Sequence, residues 1–328
     1  MTTRREFLAA TAAAALAGRA RFAAAAPAPL PELVLYGPPA GPSIIAAQAV
    51  ESGALAAVAE RASFRVWKTP DEMRAGFASG KWAASIVPTY AAANLYNRGL
   101  PVRLVNVMTE GLLYVVATDP AVTSLAALRG RTLVLPFKND MPDHVLHKLA
   151  ATAGVTLGGD IAVEYAGTPT EAMQLLLAGR SDAALVPEPA ATAAVVRGMR
   201  AGKKVHRAID VQQAWAESFG GLAAIPQAGL AVSQAFATGA GERLAALHAA
   251  LAEAAAWVNA NPASAARVAV AYLDLPAPVL ERSIPFSNLR VSAATARKPA
   301  LGALFELLAE RNPAILGGKL PDTGFYAL

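Results

Sequence analysis

The stretch Phe137-Lys138-Asn139-Asp140-Met141-Pro142-Asp143-His144 gathers a cation, an amide, two carboxylates and an imidazole between a strand-like run and a helix-like one. Val145, Leu146 and Leu149 recur at helical spacing and predict a helix with those three on its buried face. Asp140, Asp143, His144 and His147 then share the opposite side. Asp140 as N-cap, with Asp143 three residues on, would satisfy orphan amides of the first turn. The same carboxylates would confront a ligand and disfavour a small anion, although Lys138 could compensate. Asp140, His144 and His147 at i, i+4 and i+7 have metal-ligating chemistry. One helix rarely supplies a full coordination shell, however, so no metal is expected.

Other candidates stand at strand ends. Gly37-Pro38-Pro39-Ala40-Gly41-Pro42-Ser43 follows the apolar run Leu33-Val34-Leu35-Tyr36. Gly37 and Pro39 allow a tight turn that brings backbone N–H groups and the Ser43 hydroxyl towards a ligand. The same residues suit a plain strand-to-helix turn with Ser43 as N-cap. No Gly-Lys-Ser/Thr follows, which excludes a nucleotide loop. Glu188, between Pro187 and Pro189, could accept a hydrogen bond from an amine or amidine, or anchor the helix that follows. Thr109-Glu110 presents the same alternative. Tyr90, Phe137 and Phe219 offer ring faces for stacking, or core packing. Glu110, Asp140, Asp143 and Glu188 together tilt the expectation towards a nitrogen-bearing or zwitterionic ligand. The search for catalytic sets fails: there is no Gly-x-Ser-x-Gly, no His-Glu-x-x-His, no Gly-x-Gly-x-x-Gly after a strand, and only four His. With no Cys, a thiolate metal site, a disulfide framework and a cysteine nucleophile are excluded. The expectation is a binder, not an enzyme, with no cofactor.

The elements that must position these residues repeat. At an offset of 99 residues, Thr69-Pro70-x-Glu72 matches Thr168-Pro169-x-Glu171, Gly80 matches Gly179, Val87-Pro88 matches Val186-Pro187, and Arg98-Gly99 matches Arg197-Gly198. Each copy reads as a helix opened by Thr-Pro and closed by glycine in a left-handed cap, then a buried strand stopped by proline. Strand-like runs at Leu33–Tyr36, Phe64–Trp67 and Ala83–Val87 alternate with helix-like runs at Ile44–Ala59 and Asp71–Ala78, a βαβ rhythm. Two copies so far apart fit two similar α/β lobes. Ligands of open α/β sheets sit beyond the carboxyl ends of strands, so the equivalent residues Thr89 and Glu188 should face a shared cleft. The chain should cross between lobes near Leu112–Thr118 and return near Gly220–Val232, after which Glu242–Val258 reads as an amphipathic helix packing on the first lobe.

Over 328 residues the chain is 55% hydrophobic and 16% charged, enough for two cores and too apolar for disorder. Arg4-Arg5-Glu6-Phe7-Leu8 precedes a short Ala-rich apolar run and small residues at Ala23–Ala26. This is similar to a twin-arginine export signal and implies delivery to the periplasm. Its removal at residue 26 would leave 25 basic and 23 acidic residues, no electrostatic footprint for nucleic acid. No later window holds 18 uninterrupted apolar residues, so no membrane span is expected.

Leu125-x-x-Leu128-Arg129-Gly130-Arg131-Thr132-Leu133-Val134-Leu135-Pro136, Leu177-Ala178-Gly179-Arg180-Ser181-Asp182-Ala183-Ala184-Leu185-Val186-Pro187-Glu188-Pro189 and the tail Gly318–Tyr326 carry a family resemblance. The chain resembles the substrate-binding proteins of ABC importers, in the nitrate/sulfonate/taurine-type group that also includes binders of thiamine pyrimidine precursors. The resemblance implies a two-lobe periplasmic-binding-protein type II fold, with two mostly parallel sheets joined by two hinge strands. Lobe one would comprise residues 27–116 and 226–328, and lobe two residues 117–225. It implies a monomer that binds a small organic solute by hinge closure and delivers it to the transmembrane subunits of a permease. Eukaryotic pyrimidine-synthesis enzymes share the fold, but their Cys-rich motif is absent. A ligand-loaded sensor subunit is the other alternative.

Overall fold

The computed structural model describes residues 28–220, 225–238 and 240–328; the export signal expected over residues 1–26 lies outside the described residues. Short apolar runs become strands and longer amphipathic ones helices. In chain order these are β1 (Leu33–Gly37), α1 (Pro42–Glu51), β2 (Ala62–Val66), α2 (Pro70–Ala78), β3 (Ala84–Pro88), α3 (Thr89–Asn97), β4 (Val102–Leu104) and β5 (Asn106–Thr109). The chain continues through β6 (Leu113–Ala117), β7 (Thr132–Pro136), α4 (Met141–Thr152), β8 (Ala162–Ala166), α5 (Pro169–Leu177), β9 (Ala183–Pro187), α6 (Ala190–Arg200), β10 (His206–Asp210) and α7 (Val211–Phe219). It ends with β11 (Ala228–Ser233), α8 (Gln234–Ala237), α9 (Gly241–Ala260), α10 (Pro262–Ala269), α11 (Ala277–Ser283), β12 (Leu289–Ala293) and α12 (Lys298–Arg311). Among the described residues no helix is long and apolar enough to cross a membrane.

The strands form two sheets, one ordered β12-β5-β11-β3-β1-β2 with β4 also on β11, the other β10-β6-β9-β7-β8. Each is founded on three parallel strands, β2-β1-β3 and β8-β7-β9. Beside each trio lies an antiparallel strand: β11 against β3, and β6 against β9. The sheets are therefore mixed, not mostly parallel, because the two strands that follow the crossings run against the sheets they join.

The repeat is visible atom by atom. Thr69 Oγ1 accepts from the Glu72 N–H, and the Glu72 carboxylate accepts from the Lys68 N–H; Thr168, Glu171 and Gly167 do the same. These are two capping boxes, each satisfying amides that a helix start leaves unpaired. Gly80 and Gly179 close the helices at φ 70° and 72°, a region costly for any residue with a Cβ. One expected element is shorter than its pattern. The helix read as Ile44–Ala59 spans Pro42–Glu51, and Gly53, at φ 72°, turns the chain aside.

The long helix α9 buries Leu244, Leu247, Leu251 and Val258 in one cluster with Ile44 and Ile45 of α1 and Leu33 and Leu35 of β1. Helix α11 packs on α6, and its Val279 is buried with Ala193 and Val196. The C-terminal part of the chain therefore reaches the core of the second sheet as well as the first.

Candidate functional site

A cavity of about 300 Å³ opens between the lobes. Arg74 of α2 and Tyr90, Ala91 and Asn94 of α3 line it from the first lobe; Lys138, Asn139 and Asp140, in the turn from β7 to α4, line it from the second. Asn312, Ala314 and Ile315, just past α12, form a third wall.

The β7–α4 turn is shaped by two left-handed residues, Phe137 at φ 62° and Asn139 at φ 60°. Asparagine tolerates that region; phenylalanine does so at a cost that its surroundings must offset. The Asn139 N–H donates to Asp143 Oδ2 at 2.9 Å, and the Asn139 carbonyl lies 3.2 Å from His144 Nε2. Asp140 caps α4 by accepting from the Met141 N–H at 2.6 Å. The charge of that carboxylate also acts on the Tyr90 hydroxyl of the opposite lobe. Burial, and then that carboxylate, push the Tyr90 phenol well above its ordinary pKa, so it stays a donor. The Lys138 ammonium lies 5.1 Å from the Tyr165 ring centroid.

Helix α4 is buried over more of its circumference than its pattern indicates. Asp143 and His144, read on the side opposite the apolar face, are 0% and 2% exposed. Burial alone would raise the Asp143 pKa, but hydrogen bonds from His147, the Asn139 N–H and Tyr165 outweigh it and hold the carboxyl below its usual range. Burial, helped by the Arg311 charge, lowers the pKa of His144. Asp140, His144 and His147 are thus engaged separately, and among the described residues no group of three metal-ligating side chains is assembled.

The remaining residues singled out in the sequence do not line the cavity. Glu188 is fully buried; its Oε1 accepts from Arg207 Nε at 2.8 Å and Nη2 at 2.5 Å, and its Oε2 from the Thr192 N–H and hydroxyl. Burial pushes its pKa up, with Arg207 and Thr192 pulling the other way. Thr89, equally buried, donates its hydroxyl to the Pro226 carbonyl at 2.6 Å. Thr89 and Glu188, expected to face the cleft, are instead spent on anchoring. Thr109 donates to the Ser287 carbonyl, and Glu110 pairs with Arg297 at 2.7 Å. Ser43 lies inside the first turn of α1, whose N-cap is Gly41, and donates to the Pro38 carbonyl. A Cβ on Gly37 would stand 2.7 Å from Ser43 Oγ, so that glycine serves close packing; Pro39 is exposed. Phe137 is half-buried, its N–H donating to Ala166.

Three of the four carboxylates behind the expected nitrogen-bearing ligand are therefore paired within the chain, and only Asp140 lines the cavity. Sequence reasoning did not mark Arg74, Asn94 or the wall at 312–315. Asn94 and Asn97, one turn apart in an Ala-rich helix, were the available signal.

No family model matches the chain, and no curated protein matches it. Solved structures do. An ABC transporter protein from Parabacteroides distasonis superposes with a TM-score of 0.77 at 20% identity, covering 90% of this chain and 98% of its own. The periplasmic aliphatic sulphonate binding protein SsuA from Escherichia coli gives 0.70 at 17%, covering 89% and 95%. The alkanesulfonate-binding protein SsuA from Xanthomonas axonopodis pv. citri, bound to MOPS, gives 0.64 at 18%, covering 91% and 96%. The chain has the two-lobe periplasmic-binding-protein fold. In this periplasmic-binding-protein architecture the cavity adjoins the elbows after β3 and β7, where α/β sheets hold ligands.

Proposed function

We propose that the chain is the solute-binding component of an ABC importer, exported to the periplasm through the twin-arginine pathway. It works as a monomer that hands a small organic solute to a permease, with no catalytic step and no nucleic-acid partner. The observation that carries this reading is a cavity with Arg74 on one lobe and Lys138 on the other. A solute touching both favours the closed arrangement of the lobes by its differential affinity for it. Lys138, Arg74 (which also pairs with the exposed Asp71 at 2.9 Å) and the amides of Asn139 and Asn312 stand against one lining carboxylate and suit a solute with an anionic head group, as in the aliphatic sulphonates that the E. coli relative binds. A zwitterion such as taurine adds an amine for Asp140.

The test is thermal unfolding of the purified protein with nitrate, ethanesulfonate, taurine and MOPS. At a hundred times its Kd a bound solute contributes about 2.7 kcal/mol and raises Tm. A rise with at least one sulfonate is expected. Flat melting temperatures across the panel would overturn the proposed ligand class.

A further inference from the structure

The segment after α12 belongs to no sheet, yet it supplies one wall of the cavity through Asn312, Ala314 and Ile315. A pair of amides on α3 holds it. Asn94 Nδ2 donates to the carbonyls of Ala314 (2.9 Å) and Ile315 (3.1 Å). Asn97 Nδ2 donates to those of Leu316 (2.7 Å) and Lys319 (2.6 Å). Gly317 sits at φ 75°, and a Cβ there would come within 3.0 Å of the Asn97 side chain, so the backbone approaches α3 as closely as glycine allows. At the repeat offset of 99 residues, the positions matching Asn94 and Asn97 are Ala193 and Val196, which pack in an apolar cluster with Val279. The repeated helix does not itself require amides at these two places. They occur in the copy that borders the cavity.

We infer that Asn94 and Asn97 are positioning residues for solute recognition: they fix the wall Asn312–Ile315, and that wall selects which solutes fit. The selection clause rests on the proposed function; the positioning clause rests on the geometry alone. Asn94 lines the cavity, so its replacement mixes direct contact with positioning. Asn97 does not line it and acts through the segment it holds.

The chain has no cysteine, so Ile315→Cys places a single thiol in the wall, at a residue 8% exposed, and Ala250→Cys places a control of similar burial in α9. Adding Asn97→Ala should speed reaction of the thiol at 315 with a soluble disulfide reagent at least tenfold and leave the thiol at 250 unchanged. Equal rates at 315 with and without Asn97→Ala overturn positioning, and so does equal acceleration at both thiols. If Asn97→Ala fails to fold, Asn97→Ser, which keeps one donor, takes its place under the same criteria. Calorimetry with ethanesulfonate and MOPS tests selection: Asn97→Ala should change the ratio of the two affinities at least threefold, and an unchanged ratio overturns that clause. If neither solute binds the native chain, the selection clause fails with the functional reading, and the thiol rates still decide positioning.

Discussion

Thr89 and Glu188 hold the same place in the two repeated units, and the chain satisfies them by different means. Both backbone N–H groups are tied to a crossing between lobes, Thr89 to the Gln227 carbonyl at 3.1 Å and Glu188 to the Leu112 carbonyl at 2.8 Å. Thr89 then needs only the Pro226 carbonyl. Glu188 brings a charge into the interior and so requires Arg207, whose guanidinium lies 3.6 Å from the centroid of the Phe286 ring. The Tyr114 hydroxyl donates to the Phe286 carbonyl at 2.9 Å. A neutral elbow is anchored by carbonyls of the crossing alone, whereas a charged one recruits a cation and links the second sheet to the segment that precedes β12.

The largest effect should come from breaking the charged elbow. Arg207→Ala leaves the Glu188 carboxylate buried without its cation, and loss of about 3–5 kcal/mol is expected from denaturant unfolding. Combining it with Glu188→Gln should recover part of that loss. Thr89→Val removes one neutral hydrogen bond and should cost about 1 kcal/mol. Equal losses at the two elbows would break the comparison.

The pH dependence sharpens it further. The Glu188 pKa is raised in the folded chain, so its contribution is present below the ordinary carboxylate pKa of about 4.3 and is lost as pH rises through the folded value. Glu188→Gln should remove that slope. His144 has the opposite sense for an acid challenge. Its lowered pKa makes its contribution present above about 6.5 and lost as pH falls through the folded value. Acidifying from about pH 7.5 to 5.5 should therefore lower Tm more in the native protein than in His144→Gln. The smallest effect belongs to Lys148–Glu310, an exposed pair at 2.9 Å between α4 and α12; Lys148→Ala should cost under about 0.5 kcal/mol.

The contrast between elbows also marks how far the sequence was legible. The capping boxes, the left-handed glycines and the elbow prolines are local features, and the 99-residue repeat exposes them without any structure. The turn Lys138–Asp140 was legible because its chemistry is contiguous. Arg207 sits 19 residues from Glu188 with no pattern to join them, and Asn94 meets Ala314 across 220 residues. A carboxylate looks the same in sequence whether a solute or an arginine of the chain will meet it. Only the packed structure decides that, and here it assigns Glu110, Asp143 and Glu188 to internal partners.

The claim that one solute is held by both lobes is tested most directly by titrating the panel solute that raises Tm most into native, Arg74→Ala and Lys138→Ala protein by isothermal calorimetry. One solute per chain is expected, with each variant at least tenfold weaker while its unfolding midpoint stays near that of the native chain. Native-like affinity in both variants would contradict the account.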